Sequence, residues 1–286
     1  MAAPHVFPPE RVTIVGVLNC TPDSFSDGGR FVRGDRSVDV DACLHAAEHL
    51  LAEGAHVLDV GGESTRPGAR VLPEVEERAR VVPVIEALTK RFDAPVSIDT
   101  RKANVAEAAL AAGASIVNDI SGLRFDPLLA GVTAAARASL IVGHLRGTPE
   151  TMQRAPHFDD VLEEVARELE DSLARARDAG VPDHRLAADP GIGFGKDLAA
   201  NLALMAHAGW LRRRLGVPLL LGPSRKSFLG AVTGDPVEAR DEATWAACAV
   251  AAFVGADAVR VHAPRGATRA VAVGRALRDA RREGLA

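Results

Sequence analysis

Eight short β-branched or aliphatic runs recur along this chain, and each run stops at a polar residue. The interval between successive stops is long enough for a helix and a return strand. Such a series predicts an α/β fold, a single (β/α)8 TIM barrel with its active site at the carboxyl ends of the strands. The polar residues at which the runs stop are Asn19, Glu63, Asp99, Asn118, His144, Asp189, Ser224 and Arg260.

An open doubly wound sheet is the alternative, since it also binds ligands at the carboxyl ends of its strands, but eight units favour closure. The predicted strands cover residues 12–18, 57–60, 95–98, 115–117, 139–143, 185–188, 217–221 and 258–261. The predicted helices cover residues 37–54, 73–91, 103–112, 159–179, 201–215, 237–254 and 268–282, with a further helix opened by Asp126 and Pro127. No break in composition interrupts the series, so we expect one domain over residues 1–286, of which residues 1–11 form an N-terminal extension.

Charge and composition restrict the partners of the chain. Its 34 basic and 38 acidic residues give a net charge of −4, which provides no general attraction to nucleic acid or to an anionic membrane. The apolar runs are far shorter than the ~20 residues that span a bilayer, and the N-terminus lacks the pattern of a signal peptide. We therefore expect a cytoplasmic protein. Cys20, Cys43 and Cys248 show neither disulfide nor zinc-ligand spacing.

Three of the stops carry acceptor oxygens. Asp99, Asn118 and Asp189 each follow apolar strand residues, so their side chains are expected in a partly dry mouth, where a buried charge needs a partner. Two carboxylates and an amide can bind a flat, nitrogen-rich heterocycle with several N–H groups. The alternative is that each acid caps the helix that follows it.

Basic residues collect after strands two, seven and eight. Arg66, Lys226, Arg260 and His262 accompany the segment Gly222–Ser227, and barrels commonly bind phosphate at strands seven and eight. An acidic chain with this cluster is expected to hold a phosphate or diphosphate. The alternative for any single arginine is a solvated surface charge.

Loops supply the remaining signals. The Gly-rich segment 189–196 is neither a Walker loop nor a dinucleotide fingerprint, and we interpret it as a turn that brings Phe194 and Lys196 over a ring. The long loops 19–36 and 61–73 are interpreted as lids, with ordinary surface loops as the alternative. The motifs of serine hydrolases and zinc proteases are absent from the sequence, which favours catalysis by positioning and charge stabilisation.

Seven segments together resemble the dihydropteroate synthase family, in the order in which that family carries them. They are Gly16–Gly29, Gly61–Gly68, Ser97–Thr100, Asn118–Gly122, Asp189–Lys196, Ser224–Ser227 and Arg260–His262. The resemblance implies condensation of 6-hydroxymethyl-7,8-dihydropterin diphosphate with p-aminobenzoate, in a Mg²⁺-dependent homodimeric barrel that is the target of sulfonamides.

The resemblance also implies a role for individual residues. The residues expected to bind the pterin are Asp99, Asn118, Asp189, Phe194 and Lys226, with Asp99, Asp189 and Lys226 as the catalytic set. The residues expected to bind diphosphate are Thr65, Arg66, Arg260 and His262. The residues expected to border p-aminobenzoate are Phe25, Pro67, Lys226 and Ser227. Asn19 is expected to contact Mg²⁺.

Three residues depart from the family pattern. Gly143 and Leu145 flank His144 where the family commonly has methionines, and Ala263 follows His262 where an aspartate is common. A pterin-dependent methyltransferase that uses methyltetrahydrofolate is one alternative, although it needs neither the Ser64–Pro67 loop nor the Ser224–Ser227 segment. A pterin-binding paralogue without activity is a second alternative.

Overall fold

The fold is an eight-stranded parallel barrel. The computed structural model describes residues 5–21, 38–64, 71–154 and 156–283. The strands follow the order β6-β5-β4-β3-β2-β1-β8-β7, and β6 meets the chain before β7 through a bridge between Ala188 and Leu219. The predicted barrel is therefore confirmed over the open sheet. The strands are β1 Thr13–Asn19, β2 Val57–Gly61, β3 Val96–Asp99, β4 Ile116–Asp119, β5 Ser139–Gly143, β6 Leu186–Asp189, β7 Leu220–Leu221 and β8 Ala258–Val261.

The helices cover the outside of the barrel. They are α1 Val40–Ala52, α2 Glu74–Arg91, α3 Ala103–Ala111, α4 Leu129–Ala135, α5 Val161–Asp178, α6 Leu198–Ala206, α7 Ala208–Leu215, α8 Ser227–Thr233, α9 Asp241–Val254 and α10 Pro264–Glu283. Within the described residues, no helix is both long and apolar enough to cross a membrane.

Local chemistry sets the helix ends. Asp160 begins α5, because its carboxylate accepts hydrogen bonds from the backbone N–H groups of Leu162 and Glu163, and this satisfies donors that the first turn leaves free. Asp39 and Asp197 cap α1 and α6 in the same way. These three aspartates are cap residues, whereas Lys102 and Leu128 precede α3 and α4. Helix capping is therefore not the role of Asp99 or Asn118.

Several predicted helices differ from the structure. The last, predicted over residues 268–282, begins at Pro264. The segment 201–215 was predicted as one helix, but it lies in α6 and α7, which meet at His207. The predicted helix 237–254 begins instead at Asp241, after a short 3-10 turn. Helix α8 was missed because its seven residues are too few for a periodic pattern; Gly234, in the left-handed region at φ 83°, ends it.

The barrel interior changes from apolar to polar along its axis. Alternate residues of each strand face inward, and seven of the eight strands contribute an apolar residue to one inward layer, closed from below by Val6 and Phe7. The members of that layer on the strands are Val15, Val57, Ile116, Ile141, Ala187, Leu220 and Ala258. Two residues further along the same strands stand Val17, Asp59, Asn118, Gly143, Asp189, Gly222 and Arg260. Polar and small residues therefore form the floor of the mouth.

Candidate active site

A cavity of about 530 Å³ opens at the carboxyl ends of the strands, within the size range of small-molecule sites. Nine of the predicted site residues line it: Asn19, Asp99, Asn118, Asp189, Phe194, Lys226, Ser227, Arg260 and His262. The other four, Phe25, Thr65, Arg66 and Pro67, lie outside the described residues. The strand-end argument therefore brings residues from several strand ends and the loops that follow them into one cavity.

Buried carboxylates and one guanidinium form the floor. Arg260 donates from Nε to Asp59 Oδ2 at 2.6 Å and from Nη2 to Asp99 Oδ2 at 2.7 Å. Burial raises the pKa of Asp99, and the Arg260 charge opposes that rise. Burial also raises the pKa of Asp189, against the backbone N–H of Gly191 and the charge of Lys226. The floor therefore concentrates acceptors that need cationic or N–H partners.

Asp59 is a part of this floor that the sequence reasoning missed. It lies in the middle of β2 and is fully buried, and it also accepts a hydrogen bond from Asn118 Nδ2 at 3.3 Å. The available signal was an aspartate inside the otherwise apolar run Val57–Val60, since an ionisable residue within a buried strand needs partners.

Lys226 and Phe194 form the next part of the wall. The Lys226 Nζ lies 3.8 Å from the centroid of the Phe194 ring, a cation–π distance. Burial and the Arg260 charge lower the pKa of Lys226 to about 8, and Asp189 and Asp99 oppose this shift. Gly193 permits the approach, because a Cβ there would lie 2.8 Å from Lys226 Cδ.

The Gly-rich segment is a left-handed turn. Gly191 has φ 69°, and a Cβ at this position would lie 1.9 Å from the His144 carbonyl oxygen, so only glycine fits. The Gly191 N–H donates to Asp189 Oδ1 at 2.7 Å. The turn thus carries Phe194 to the cavity and fixes Asp189.

The prediction for Lys196 is wrong, and His144 also lies behind the cavity rather than in its lining. Lys196 Nζ turns beneath the segment and donates to the Phe194 carbonyl oxygen and to His144 Nδ1, both at 2.9 Å. His144 Nε2 in turn lies 3.1 Å from Glu168 Oε2. Because a carboxylate only accepts, we place the imidazole proton on Nε2, which leaves Nδ1 to accept from Lys196.

Two ionic networks, both missed in the sequence, lie behind the cavity. The Glu63 cluster consists of Glu63, Glu77, Arg101 and Lys102. Lys102 Nζ contacts both glutamates and donates to the Leu72 carbonyl oxygen at 2.7 Å, and Arg101 Nη2 donates to Glu63 Oε1 at 2.6 Å. Glu63 belongs to this cluster and also lines the cavity, so the network anchors the chain where it leaves β2.

The Glu168 cluster consists of Arg124, His144, Arg146, Glu168 and Lys196. Glu168 accepts from Arg146 Nε at 3.0 Å and from Arg124 Nη2 at 2.8 Å. The Arg146 guanidinium also lies 4.1 Å over the Phe158 ring. The cluster therefore ties the chain after β5 to α5 and to the Gly-rich turn.

The family departures have structural explanations. A Cβ on Gly143 would lie 2.6 Å from Ile120 Cα, so glycine lets the backbone after β4 pack against β5. Leu145 packs with Ile120 and Met152, and Phe194 rests on that cluster. Ala263 leaves His262 with Ser224, whose Oγ lies 2.8 Å from His262 Nδ1.

Oxygen ligands suitable for a hard cation are present near Asn19. A Cβ atom added to Gly61 would lie 3.4 Å from Asn19 Oδ1 and 3.9 Å from Asp99 Oδ2. Among the described residues there is no group of three or more His, Cys, Asp or Glu arranged to hold a metal. Mg²⁺ commonly takes one or two protein oxygens and completes its shell with substrate phosphates and water, so the Asn19 amide oxygen is a suitable ligand for it.

Comparison with known proteins gives a consistent result. The sequence profile of the pterin binding enzymes matches residues 15–262. The dihydropteroate synthase of Synechocystis is 44% identical over 254 residues, 88% of this chain and 86% of that protein. The Bacillus subtilis dihydropteroate synthase is 44% identical over 88% of this chain and 84% of its own.

Solved structures agree. The Yersinia pestis dihydropteroate synthase with a sulfonamide drug complex has a TM-score of 0.88 and 40% identity, covering 94% of this chain and 95% of that one. The Xanthomonas albilineans dihydropteroate synthase with 4-aminobenzoic acid has a TM-score of 0.84 and 42% identity, covering 94% and 93%. This chain belongs to the family of pterin-binding enzymes that includes the dihydropteroate synthases.

Proposed function

We propose that this protein is a dihydropteroate synthase, a transferase of folate biosynthesis. It condenses 6-hydroxymethyl-7,8-dihydropterin diphosphate with p-aminobenzoate and releases diphosphate. The observation that carries the proposal is the convergence of three buried acceptor side chains, Asp99, Asn118 and Asp189, with the cations Lys226 and Arg260 in one cavity.

The pterin is assigned to the floor of this cavity. Its flat ring has several N–H groups, and these match the oxygens of Asp99, Asn118 and Asp189. Each charge-assisted hydrogen bond contributes roughly 1.5–3 kcal/mol. Phe194 and Lys226 border the ring, and the flexible lysine can donate to a ring acceptor. Three acceptors held by a rigid barrel select for a nitrogen-rich heterocycle.

The diphosphate is assigned to the cationic side chains of the cavity. Arg260 and His262 are its described ligands, and Thr65 and Arg66 complete the proposed set. Asn19 is the proposed Mg²⁺ ligand. When bound, Mg²⁺ stabilises the negative charge that develops on the departing diphosphate.

The arylamine is assigned to the outer part of the cavity. Lys226 and Ser227, at the start of α8, border it, together with Phe25 and Pro67. The amine and the carboxylate are at opposite ends of the benzoate ring, so with Lys226 beside the pterin the Ser227 hydroxyl is the donor assigned to the carboxylate, which leaves the amine directed toward the pterin. Holding both substrates in one cavity contributes part of the ~7–11 kcal/mol that proximity can supply.

The bond changes follow from this arrangement. The C–O bond to the diphosphate breaks and its electron pair leaves with the diphosphate, while the amine nitrogen forms the new C–N bond and loses one proton to solvent. Asp99 and Asp189 place negative charge beside the pterin as positive charge develops on its methylene carbon. Electrostatic stabilisation of this kind needs charges already in position, as the Arg260 and Gly191 contacts ensure.

We further propose that the enzyme works in the cytoplasm as a homodimer, an assignment supported by the family resemblance. The same site argues against the two alternatives. A methyltransferase that uses methyltetrahydrofolate has no diphosphate to bind, whereas Arg260, His262 and Lys226 surround this cavity. A paralogue without activity has no need of those cations.

The decisive experiment measures dihydropteroate formation by chromatography, with and without Mg²⁺. We expect product that depends on Mg²⁺. Pterin binding without product, or methyl transfer from methyltetrahydrofolate, would favour the alternatives.

A variant tests the role of Asp189. We expect Asp189→Asn to reduce kcat at least ~100-fold, because it keeps the side-chain shape and loses the charge. The thermal unfolding temperature should change little. Near-normal kcat in Asp189→Asn would contradict the assigned role.

A further inference from the structure

Asp59 lies below the cavity and connects two residues of its wall. Its side chain is fully buried in β2, beneath Asp99 on the neighbouring strand. It accepts from Arg260 Nε at 2.6 Å and from Asn118 Nδ2 at 3.3 Å, both through Oδ2. Both partners line the cavity, whereas Asp59 is not part of its lining. The carboxylate is therefore placed to act on the substrate through other side chains.

The first effect is on the orientation of the Asn118 amide. Asp59 Oδ2 accepts from Arg260 Nε and from Asn118 Nδ2, so the Asn118 NH2 group faces Asp59. The reversed amide would set two acceptor oxygens against each other. Asn118 Oδ1 is thereby free for another donor, and it is buried without a protein partner among the described residues. A buried acceptor left unpaired costs about 1–3 kcal/mol, which a ligand N–H can recover.

The second effect is on Arg260. With Nε bound to Asp59, the guanidinium plane is fixed, and Nη2 reaches Asp99 Oδ2 at 2.7 Å. Two carboxylate contacts to one rigid fork restrict an arginine far more than one contact does. Arg260 is thus held beside Asp99 before any substrate arrives.

We propose that Asp59 is a positioning residue for heterocycle recognition, which fixes the Asn118 amide with its oxygen toward the ligand and aligns Arg260. This inference deepens the proposed function and rests on it. By this inference, Asn118 selects a ligand that has an N–H donor, and the selectivity depends on the Asp59 carboxylate, which does not touch the ligand.

The test uses Asp59→Ala and a matched control. Asp59→Ala removes the one oxygen that accepts from both Arg260 Nε and Asn118 Nδ2, so the Asn118 amide is free to reverse and Arg260 loses one of its two carboxylate contacts. We expect pteroic acid, used as the probe, to bind ~10–100-fold more weakly by calorimetry, with KM for p-aminobenzoate within about twofold. Ser97→Ala is the control, because Ser97 pairs with Asp59 in the β2–β3 register, is equally buried and has an unpaired Oγ; its affinity should match wild type.

The conservative variant Asp59→Asn separates positioning from charge. Its amide oxygen, placed where Oδ2 lies, can still accept from both Arg260 Nε and Asn118 Nδ2. Affinity for pteroic acid within about threefold of wild type in Asp59→Asn, against the loss in Asp59→Ala, supports the inference. Affinity as low in Asp59→Asn as in Asp59→Ala overturns it, and so does failure of both variants to fold, since Asp59 would then serve stability alone.

The outcomes for the inference and for the proposed function are distinguishable. If wild type forms no dihydropteroate but binds pteroic acid, the proposed reaction fails while the Asp59 comparison still reports on binding. If wild type is active and Asp59→Ala binds pteroic acid as tightly as wild type, only the inference fails. Equal losses in KM for both substrates would likewise contradict a role confined to the heterocycle.

Discussion

The Glu63 cluster and the Glu168 cluster support opposite sides of the same cavity but differ in burial. In the Glu63 cluster all four side chains are at most 7% exposed, and two acids face two bases. In the Glu168 cluster Arg146 is 28% exposed and Arg124 is 41% exposed, while Lys196 and His144 are buried. The Glu63 cluster therefore consists of charged groups that have little access to water. The Glu168 cluster instead combines partly exposed arginines with buried groups that are held by hydrogen bonds.

The pKa values express this difference. Burial and the Lys196 charge lower the pKa of His144 to about 4, and Glu168 opposes the shift. Burial lowers the pKa of Lys196 to about 7, against the charges of Asp189 and Glu168. The imidazole is therefore neutral at pH 7, and the lysine titrates near neutrality. Networks of similar appearance thus respond differently to the loss of one member.

The largest expected effect follows from breaking the Glu63 cluster. Lys102→Met leaves two buried glutamates without a shared cation, and removing one partner of a buried ion pair costs about 3–5 kcal/mol. Urea unfolding should show a loss of that size in the free energy of unfolding. The control is Lys90→Met, whose exposed pair with Glu86 should contribute no more than about 0.5 kcal/mol. A loss below about 1 kcal/mol in Lys102→Met would remove the contrast between the clusters.

A smaller, pH-dependent effect is expected from His144. The pKa of His144 in the folded state lies below its value in the unfolded chain. The unfolded chain therefore binds more protons between about pH 4 and the ordinary histidine value of 6.5. The free energy of unfolding consequently falls as the pH falls through that window. One proton gives a slope of at most about 1.4 kcal/mol per pH unit. His144→Gln keeps a donor for Glu168 and cannot titrate, so it should lack this part of the slope.

Urea unfolding of wild type and His144→Gln at about pH 7, 6 and 5 measures the difference. Asp99 and Asp189 shift in the opposite sense, because burial raises their pKa values, and they cancel in the comparison between the two proteins. Equal slopes in wild type and variant would show that His144 does not carry a depressed pKa, and the Glu168 cluster would then resemble the Glu63 cluster.

The sequence predicted the strands and the residues at their carboxyl ends, because both depend on the pattern of residues within a single strand. A buried parallel strand reads as a short apolar run, and its last residue must emerge at the mouth, so Asn19, Asp99, Asn118 and Asp189 were placed in the cavity from the sequence. The limits of β5 and β8 were likewise predicted to the residue, since apolar runs and their flanking residues define them.

The clusters could not be predicted because they join residues far apart in the chain. Lys102 meets Glu63 and Glu77 only once α2 has packed against α3, and no spacing in the sequence encodes that meeting. Lys196 points away from the cavity because Gly195 takes φ 62°, a backbone choice that composition permits but does not require. The glycines indicated a turn without specifying which side chain it would bury.

The smallest change in stability is expected for Lys196→Met, and it tests the comparison most directly. The variant removes three hydrogen-bond contacts of the ammonium, to His144 Nδ1, the His144 carbonyl oxygen and the Phe194 carbonyl oxygen, but it also removes a charge whose burial is costly. These terms oppose each other, so we expect a change of about 1 kcal/mol at pH 7. Above about pH 7 wild type should gain stability relative to the variant, because the unfolded chain holds the lysine proton up to its higher pKa.

The same variant should also affect substrate binding. The loosened turn should raise KM for the pterin substrate several-fold and leave KM for p-aminobenzoate nearly unchanged, since Phe194 borders the ring site. A loss in stability as large as that of Lys102→Met would mean that Lys196 is a fixed charge, and the two sides of the cavity would then be supported in the same way.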